Sequence, residues 1–319
     1  MTSPVTLADI QAAGQRIAGR VLRTPMMADH TFPGLYLKLE YRQTTGAFKL
    51  RGATNAVLSL TQQDLQRGVV TASTGNHGRA LAHAAQAAGG RAVVCLSHLV
   101  PANKIKAIRD LGAEVRIIGQ SQDEAMVEVA RAVTEDGMIE VPPFDHPAVV
   151  AGQGTLGLEI LADIPTPAMV LIPLSGGGLA AGVATAIRAL SPQTRLIGLS
   201  MARGAAMHAS LRLGHPVEVT EEFTLADSLG GGIGLHNRLT FAACRALLDE
   251  VILLTEAEIA AGMRHIHAVT GDAVEGGGAV GVAAVLAGKV RVSVPTVAIL
   301  SGCNVAAELF EGVMAGVAV

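Results

Sequence analysis

The sequence predicts an α/β protein made of two open parallel-sheet domains with flanking helices, and three observations carry that prediction. Short apolar runs alternate with segments of helical spacing along most of the chain, the pattern of parallel strands joined by right-handed crossovers. Half of the residues are apolar and 37 are glycine, with few aromatics, which suits closely packed sheets and helices. The third is size and punctuation: 319 residues allow two domains, and Pro142-Pro143 is the clearest break in composition. That break marks the return from a small domain, residues 43–142, to a large one formed by residues 1–42 and 143–319.

In chain order, Leu7, Ile10, Ala13, Ile17 and Val21 predict a helix over 6–22, ended by Arg23-Thr24-Pro25. Leu35–Glu40 alternates as a strand, and Thr44–Ala53 leads into a helix through residue 60. Gly68–Ser73 is a short strand that runs through Ser73-Thr74-Gly75-Asn76-His77-Gly78 into a helix from Arg79 to Ala88. Ala92–Leu96, a helix Asn103–Leu111, Glu114–Ile118 and a helix over 121–134 continue the alternation. Beyond the two prolines, Gln153-Gly154-Thr155 opens a helix, and Met169–Leu174 has the profile of a buried parallel strand. That strand turns through Ser175-Gly176-Gly177-Gly178-Leu179 into a helix to Leu190. Strands at Arg195–Ser200, Val251–Leu254 and Val292–Leu300 follow, with helices near 236–249, 256–268 and 278–288 and a glycine-rich loop at 226–234. The last strand delivers Ser301-Gly302-Cys303-Asn304 at its carboxyl end, where open α/β sheets bind ligands.

Composition excludes several function classes. A net charge of −3 and the lack of a basic run argue against a nucleic-acid binder. No apolar stretch approaches the ~20 residues needed to span a membrane, and the N-terminus has no signal-peptide pattern. Cys95, Cys244 and Cys303 are odd in number and far apart, which fits a reducing cytoplasm rather than a disulfide framework.

The chemistry concentrates at strand ends. A strand that turns through three glycines into a helix converges backbone N–H groups on one point, and the helix dipole adds positive charge there: a phosphate cradle, or simply a tight loop with packing glycines. Lys49 also has two readings. It is either solvated at a helix start or, flanked by Gly46, Ala47 and Phe48, partly desolvated, which lowers an amine pKa and makes a Schiff-base nucleophile. The loop 73–78 is rich in donors suited to a carboxylate. Histidines point to no metal: His265 and His267 are two apart on a helix and face different ways, and His208 and His215 lack a companion acid.

Thr45–Ala53, Ser73–Gly78, Ser175–Leu179 and Ser301–Asn304 resemble, in order and spacing, the motifs of the pyridoxal-phosphate-dependent threonine/serine dehydratases and serine racemases, whose fold is called tryptophan-synthase-β-like. Within that family, Ser200–His208 and Ser228–Gly234 look most like the hydroxyectoine-utilisation dehydratases and other catabolic 3-hydroxy-amino-acid dehydratases. The resemblance implies pyridoxal 5'-phosphate in the cleft between the domains, an amino-acid substrate and a homodimer. It implies that Lys49 carries the cofactor and moves the α-proton, with Phe48 against the ring and Asn76 at the ring oxygen. Ser175, Gly176, Gly177, Gly178 and Leu179 hold the phosphate, and Ser301 meets the pyridine nitrogen. Ser73, Thr74, Gly75 and His77 surround the substrate carboxylate. Glu275 corresponds to an acid near the active site, or is an exposed glutamate at a helix start.

Three further expectations come from the resemblance. Ser200 and Ala206 stand where relatives carry cation-binding acids, so no divalent metal is expected there. The chain ends soon after the last motif, without the regulatory domain of biosynthetic threonine dehydratases. Thr74 keeps a hydroxyl where racemases place a serine as second acid/base, so the alternative to β-elimination is a serine-type racemase using Lys49 and Thr74. A cofactor-binding relative without catalysis has no use for Lys49, and a dinucleotide oxidoreductase lacks its glycine pattern.

Overall fold

Thr296–Ile299, a strand late in the chain, lies inside a six-stranded sheet rather than at its edge. The computed structural model describes residues 5–317 apart from Thr74, Leu99, Pro101, Ser121 and Ser293. The chain begins with α1 (Leu7–Ile17), β1 (Met26–Ala28), β2 (Leu35–Lys38), α2 (Lys49–Leu58) and α3 (Gln62–Arg67). Next come β3 (Val69–Ala72), α4 (Asn76–Ala87), β4 (Ala92–Leu96), α5 (Ala102–Asp110), β5 (Glu114–Ile117), α6 (Gln122–Thr134) and β6 (Ile139–Glu140). Then α7 (Pro147–Asp163), β7 (Met169–Pro173), α8 (Gly178–Leu190), β8 (Arg195–Met201), α9 (Ala206–Leu213) and α10 (Leu239–Leu247) follow. The described chain closes with β9 (Glu250–Leu254), α11 (Glu256–Thr270), α12 (Gly276–Leu286), β10 (Thr296–Ile299) and α13 (Ala307–Met314).

The strands form two sheets. The larger has the order β1-β2-β10-β7-β8-β9, parallel except for the antiparallel edge strand β1. The smaller, β5-β4-β3-β6, is wholly parallel and built between Val69 and Glu140. In the large sheet alternate residues serve opposite faces, as the strand period of two requires. Val170 and Ile172 join the core under α8, whereas Leu171 joins the core under α11 and α12. Register pairs Ala298 with Leu171, so β10 and β7 end side by side. The strand order reverses at this pair, since the chain runs outward from β7 to β8 and β9 on one side. Such a reversal is where open sheets leave a crevice at their carboxyl ends.

The sequence-based expectations need correction at several boundaries. α1 stops at Ile17, five residues early, with Gly19 at φ +72 just beyond. The final strand begins at Thr296 rather than Val292. α7 starts at Pro147, not near Gln153. Its Val149, Val150, Gly152, Gly154 and Leu156 are all buried, so no polar face marks its start. The glycines that read as breakers are sites of close approach: a Cβ on Gly152 would lie 2.7 Å from the Cα of Gly52 in α2. α3, α9, α13, β1 and β6 are short elements that periodicity did not mark; α3 is capped by Thr61, whose Oγ1 accepts from the Asp64 N–H at 3.1 Å.

Candidate active site

The cradle is shaped by what cannot fit beside it. Gly177 adopts φ +87 and precedes α8, whose first turn has no side-chain cap and so keeps its N–H groups available. A Cβ on Gly176 would fall 2.3 Å from the Phe144 ring, and one on Gly177 2.8 Å from Met207. The Gly176 carbonyl is turned away by the Thr240 hydroxyl, which donates to it at 2.7 Å. What faces the crevice is therefore a donor-only turn at the positive end of a helix, a site for a phosphate dianion.

Lys49 is the first residue of α2, and the segment before it is tied to the end of β10. The Phe48 N–H donates to the Ser301 carbonyl at 3.0 Å, the Cys303 N–H donates to Gly46 at 2.9 Å, and Ala47 bridges Gly302. Gly46 turns at φ +77, where a Cβ would meet Asn304 at 2.8 Å. Lys49 Nζ donates to the Pro143 carbonyl at 2.6 Å and stands 5.2 Å from the centre of the Phe48 ring. Removal from water pushes its pKa down to about 8, against the opposing pull of Glu275. This is the desolvated lysine, not the solvated one.

α2 is held from below by charge. Arg51 is buried, with Nε 2.7 Å from Glu40 Oε1 and Nη1 2.7 Å from Glu159 Oε1. Lys38, equally buried, reaches Glu159 at 2.9 Å. Sequence reasoning passed over this network, because a charged residue in a helix pattern reads as surface.

The loop after β3 brings Ser73, Gly75, Asn76 and His77 to the same cavity, whose volume is about 1020 Å³. Thr74 lies outside the described residues. His77 Nε2 is 2.8 Å from the Val141 carbonyl, while Nδ1 is buried without a partner. Burial first, and the nearby Lys49 second, hold its pKa down to about 3. The ring is thus neutral, Nε2 carries the proton, and Nδ1 presents a lone pair. Toward a carboxylate, His77 can offer its main-chain N–H but not its ring.

Glu275 is 2 % exposed, which corrects the reading of an exposed helix-start glutamate. It precedes α12 without capping it through its side chain. Instead Oε1 accepts from Asn76 Nδ2 at 2.9 Å and Oε2 from the Asn304 N–H at 3.0 Å, while Asn304 Nδ2 donates to Asn76 Oδ1 at 2.5 Å. These three bonds, one of them from the Asn304 main chain, close a ring that fixes the Asn76 amide with its Nδ2 as the donor end, one hydrogen still to give. Burial raises the Glu275 pKa, opposed by the Ser228 hydroxyl. Ser301 is buried, its Oγ 3.4 Å from the Gly277 carbonyl.

The structure therefore brings Phe48, Lys49, Asn76, Ser175, Leu179, Ser301 and Glu275 to one cavity. Sequence reading missed Asn304, although its motif was visible. It expects the loop 142–146 to line the substrate side chain, and the structure places Pro143 and Phe144 in the cavity wall, with roles in holding Lys49 and shaping the cradle that sequence reading does not assign. A buried amine of lowered pKa, a donor-only cradle, an oriented amide and a buried hydroxyl are a set that fits pyridoxal phosphate. Among the described residues, no group of three or more His, Cys, Asp or Glu is placed to hold a metal ion, and no helix is long and apolar enough to cross a membrane.

Comparison with known proteins gives the same assignment. Residues 17–302 match the family model described as pyridoxal-phosphate dependent enzyme. A Sinorhizobium fredii protein named "Putative threonine dehydratase" is 56 % identical, over 99 % of this chain and 97 % of that protein. An L-threonine ammonia-lyase of Geobacter sulfurreducens is 42 % identical, over 95 % of this chain and 76 % of its own length. The solved structure of the processed form of threonine deaminase isoform 2 from Solanum lycopersicum superposes with a TM-score of 0.90 at 32 % identity, covering 100 % of this chain and 97 % of that one.

Proposed function

The chain belongs to the pyridoxal-phosphate dependent enzymes, and from that premise we propose that it is a lyase that dehydrates and deaminates a 3-hydroxy-α-amino acid to a 2-oxo acid and ammonia. The observation that carries the reading is the buried Lys49 amine beside the glycine cradle in one cavity. The names of its relatives, threonine dehydratase and ammonia-lyase, agree with it. In this reading residues 43–142 form the small domain, residues 1–42 and 143–319 the large one, and the enzyme works as a cytoplasmic homodimer. Hydroxyectoine or hydroxy-amino-acid catabolism is the proposed context.

Bound pyridoxal phosphate supplies an electron sink that makes the Cα–H bond of an attached amino acid acidic. Lys49 would carry it through Nζ, the N–H groups of Gly176 to Leu179 and Ser175 would hold its phosphate, and Phe48 would pack on its ring. Asn76 would give its free Nδ2 hydrogen to the ring oxygen, and Ser301 would meet the ring nitrogen with a neutral hydroxyl. The chain's own work begins at the substrate. Ser73 and the N–H groups of Gly75 and His77 orient its carboxylate. Lys49, its ammonium pKa lowered by burial to about 8, gives up its proton more easily than an ordinary lysine, and as the free amine takes the α-proton at Nζ. Glu275, close enough to act on Lys49 through its charge, favours the protonated lysine once the proton has moved.

The test is an absorbance titration of the purified protein with threonine, serine, 3-hydroxyaspartate and phenylserine, with 2-oxo acid and ammonia assayed alongside. The lysine-linked cofactor absorbs near ~410 nm; the expected result is that band, its absence in Lys49→Ala, and 2-oxo acid from one substrate. Loss of optical rotation without 2-oxo acid would establish a racemase instead.

A further inference from the structure

Arg79 stands in the wall of the cavity, three residues after Asn76 on α4. Its Nε is buried without a hydrogen-bond partner, and among the described residues no carboxylate forms an ion pair with it. The other cations of the wall differ: Lys49 is bonded to Pro143, Lys104 pairs with Asp227 at 3.2 Å, and Arg203 is exposed. A helical side chain leans back toward the helix N-terminus. Arg79 lies in the first turn of α4 beside the turn that begins at Gly75, whose carbonyl accepts the Arg79 main-chain N–H at 3.3 Å, and its charge acts on Cys303 across the site. That turn is where the substrate carboxylate docks in the function proposed above. A partly buried guanidinium with an idle N–H is costly unless an acceptor arrives, and a planar fork of donors fits a carboxylate best. The cavity, about 1020 Å³, has room for more than a methyl side chain.

We propose that Arg79 determines specificity by pairing with a second carboxylate, on the substrate side chain, so that the preferred substrate is a dianionic 3-hydroxy amino acid of the 3-hydroxyaspartate type. The inference rests on the elimination chemistry proposed above. Its balance is simple: the α-proton and the β-hydroxyl leave as water, hydrolysis of the resulting imine takes up one water, and 3-hydroxyaspartate becomes oxaloacetate and ammonia. Threonine's methyl group leaves the Arg79 N–H without an acceptor and is the poorer substrate. Of the acids of the wall, Glu218, Glu221 and Glu222 belong to the segment between α9 and α10, Asp227 pairs with Lys104, Glu140 ends β6, and Glu275 is already bonded to Asn76 and to the Asn304 N–H.

The test compares the holoenzyme with Arg79→Gln in two measurements. Steady-state rates are taken for both diastereomers of 3-hydroxyaspartate and for threonine, and calorimetry gives the affinities of succinate and butyrate. The expected result is a preference for hydroxyaspartate of about tenfold or more. In the variant kcat/KM for hydroxyaspartate falls, mainly through KM, at least about tenfold more than for threonine. Succinate affinity falls with it, and butyrate affinity changes far less. Equal losses on both substrates overturn the proposal, because Arg79 then serves the common carboxylate or the fold. Turnover of threonine without hydroxyaspartate overturns it and leaves the elimination reading standing. No 2-oxo acid from any substrate overturns both, and succinate binding then shows whether Arg79 meets a second carboxylate at all.

Discussion

Thr240 joins Asp145 to the glycine cradle: its N–H donates to Asp145 Oδ1 at 2.8 Å and its hydroxyl to the Gly176 carbonyl at 2.7 Å. Asp145 also accepts from the N–H groups of Arg238 and Leu239, at 3.1 and 3.0 Å. One carboxylate thus caps α10 and fixes the segment that carries Pro143, the partner of Lys49, and Phe144, the floor of the cradle. Asp145→Ala should cost about 1–2 kcal/mol of stability, the usual value of such a cap. It should also weaken cofactor binding severalfold, as read by fluorescence titration. Asp145→Asn keeps an acceptor oxygen and should restore most of both.

Gly176 and Gly177 exclude a Cβ for different reasons, so their alanine variants should respond differently to a second change. Gly176→Ala collides with the Phe144 ring, and Phe144→Leu should relieve it. Gly177→Ala is strained by φ +87 whatever surrounds it, at about 1 kcal/mol or more. The expectation is loss of cofactor affinity in both, at least ~10-fold, with rescue in the first alone. Rescue of both by Phe144→Leu would show that the backbone angle is not the constraint.

Arg51→Met should destabilise the protein by about 3–5 kcal/mol, because it leaves Glu40, which is fully buried, without its cation. Adding Glu40→Gln should recover part of that loss, since the two residues share one network. Urea denaturation of the two single variants and the double variant measures the coupling directly.

The cofactor-free protein carries the cost of a buried ammonium at Lys49. Its folded pKa, about 8, lies below the ordinary lysine value of 10.5, so between those values the unfolded chain binds more protons than the native one. Stability from this group therefore rises with pH across that window, and the burial cost is at its full value below pH ~8. Lys49→Met should stabilise the cofactor-free protein at pH 7, with the advantage shrinking as pH approaches ~10. A pH-independent difference in Tm between the two would contradict the desolvated amine.

Glu275→Gln should cost about 1–3 kcal/mol, because an amide can accept from Asn76 or from the Asn304 N–H but turns a donor toward the other. Cofactor affinity should fall in parallel, since Asn76 loses its fixed orientation.

How much of this was legible depended on whether the information is local. Strand–glycine–helix turns at Ser175–Leu179 and Ser73–Gly78 announce themselves, because the backbone conformation itself demands those residues. Lys49 was visible through its motif, but the groups that act on its amine, the Pro143 carbonyl and the Glu275 carboxylate, lie 94 and 226 positions away. Glu275 shows the limit most clearly. A glutamate followed by three glycines reads as a solvated helix start, and only the arrival of Asn76 and Asn304 from other strand ends buries it. Asp145 and Phe144 carry no motif at all, since what matters is the helix end and the glycines they meet. α7 was truncated in the reading because its glycines serve neighbouring helices and not its own backbone.

The place of β10 has a consequence for how the protein is made. Its neighbours β2 and β7 are synthesised long before it, and until it arrives each presents an unpaired edge. Both sides of the cofactor site also wait for it, since Ser301 anchors Phe48 and Asn304 orients Asn76. A nascent chain halted before Thr296 therefore holds Lys49 and the cradle but no pocket, and its open edges make it a target for chaperones rather than for cofactor. Cofactor capture should thus be a late event in biogenesis, one that registers closure of the large sheet.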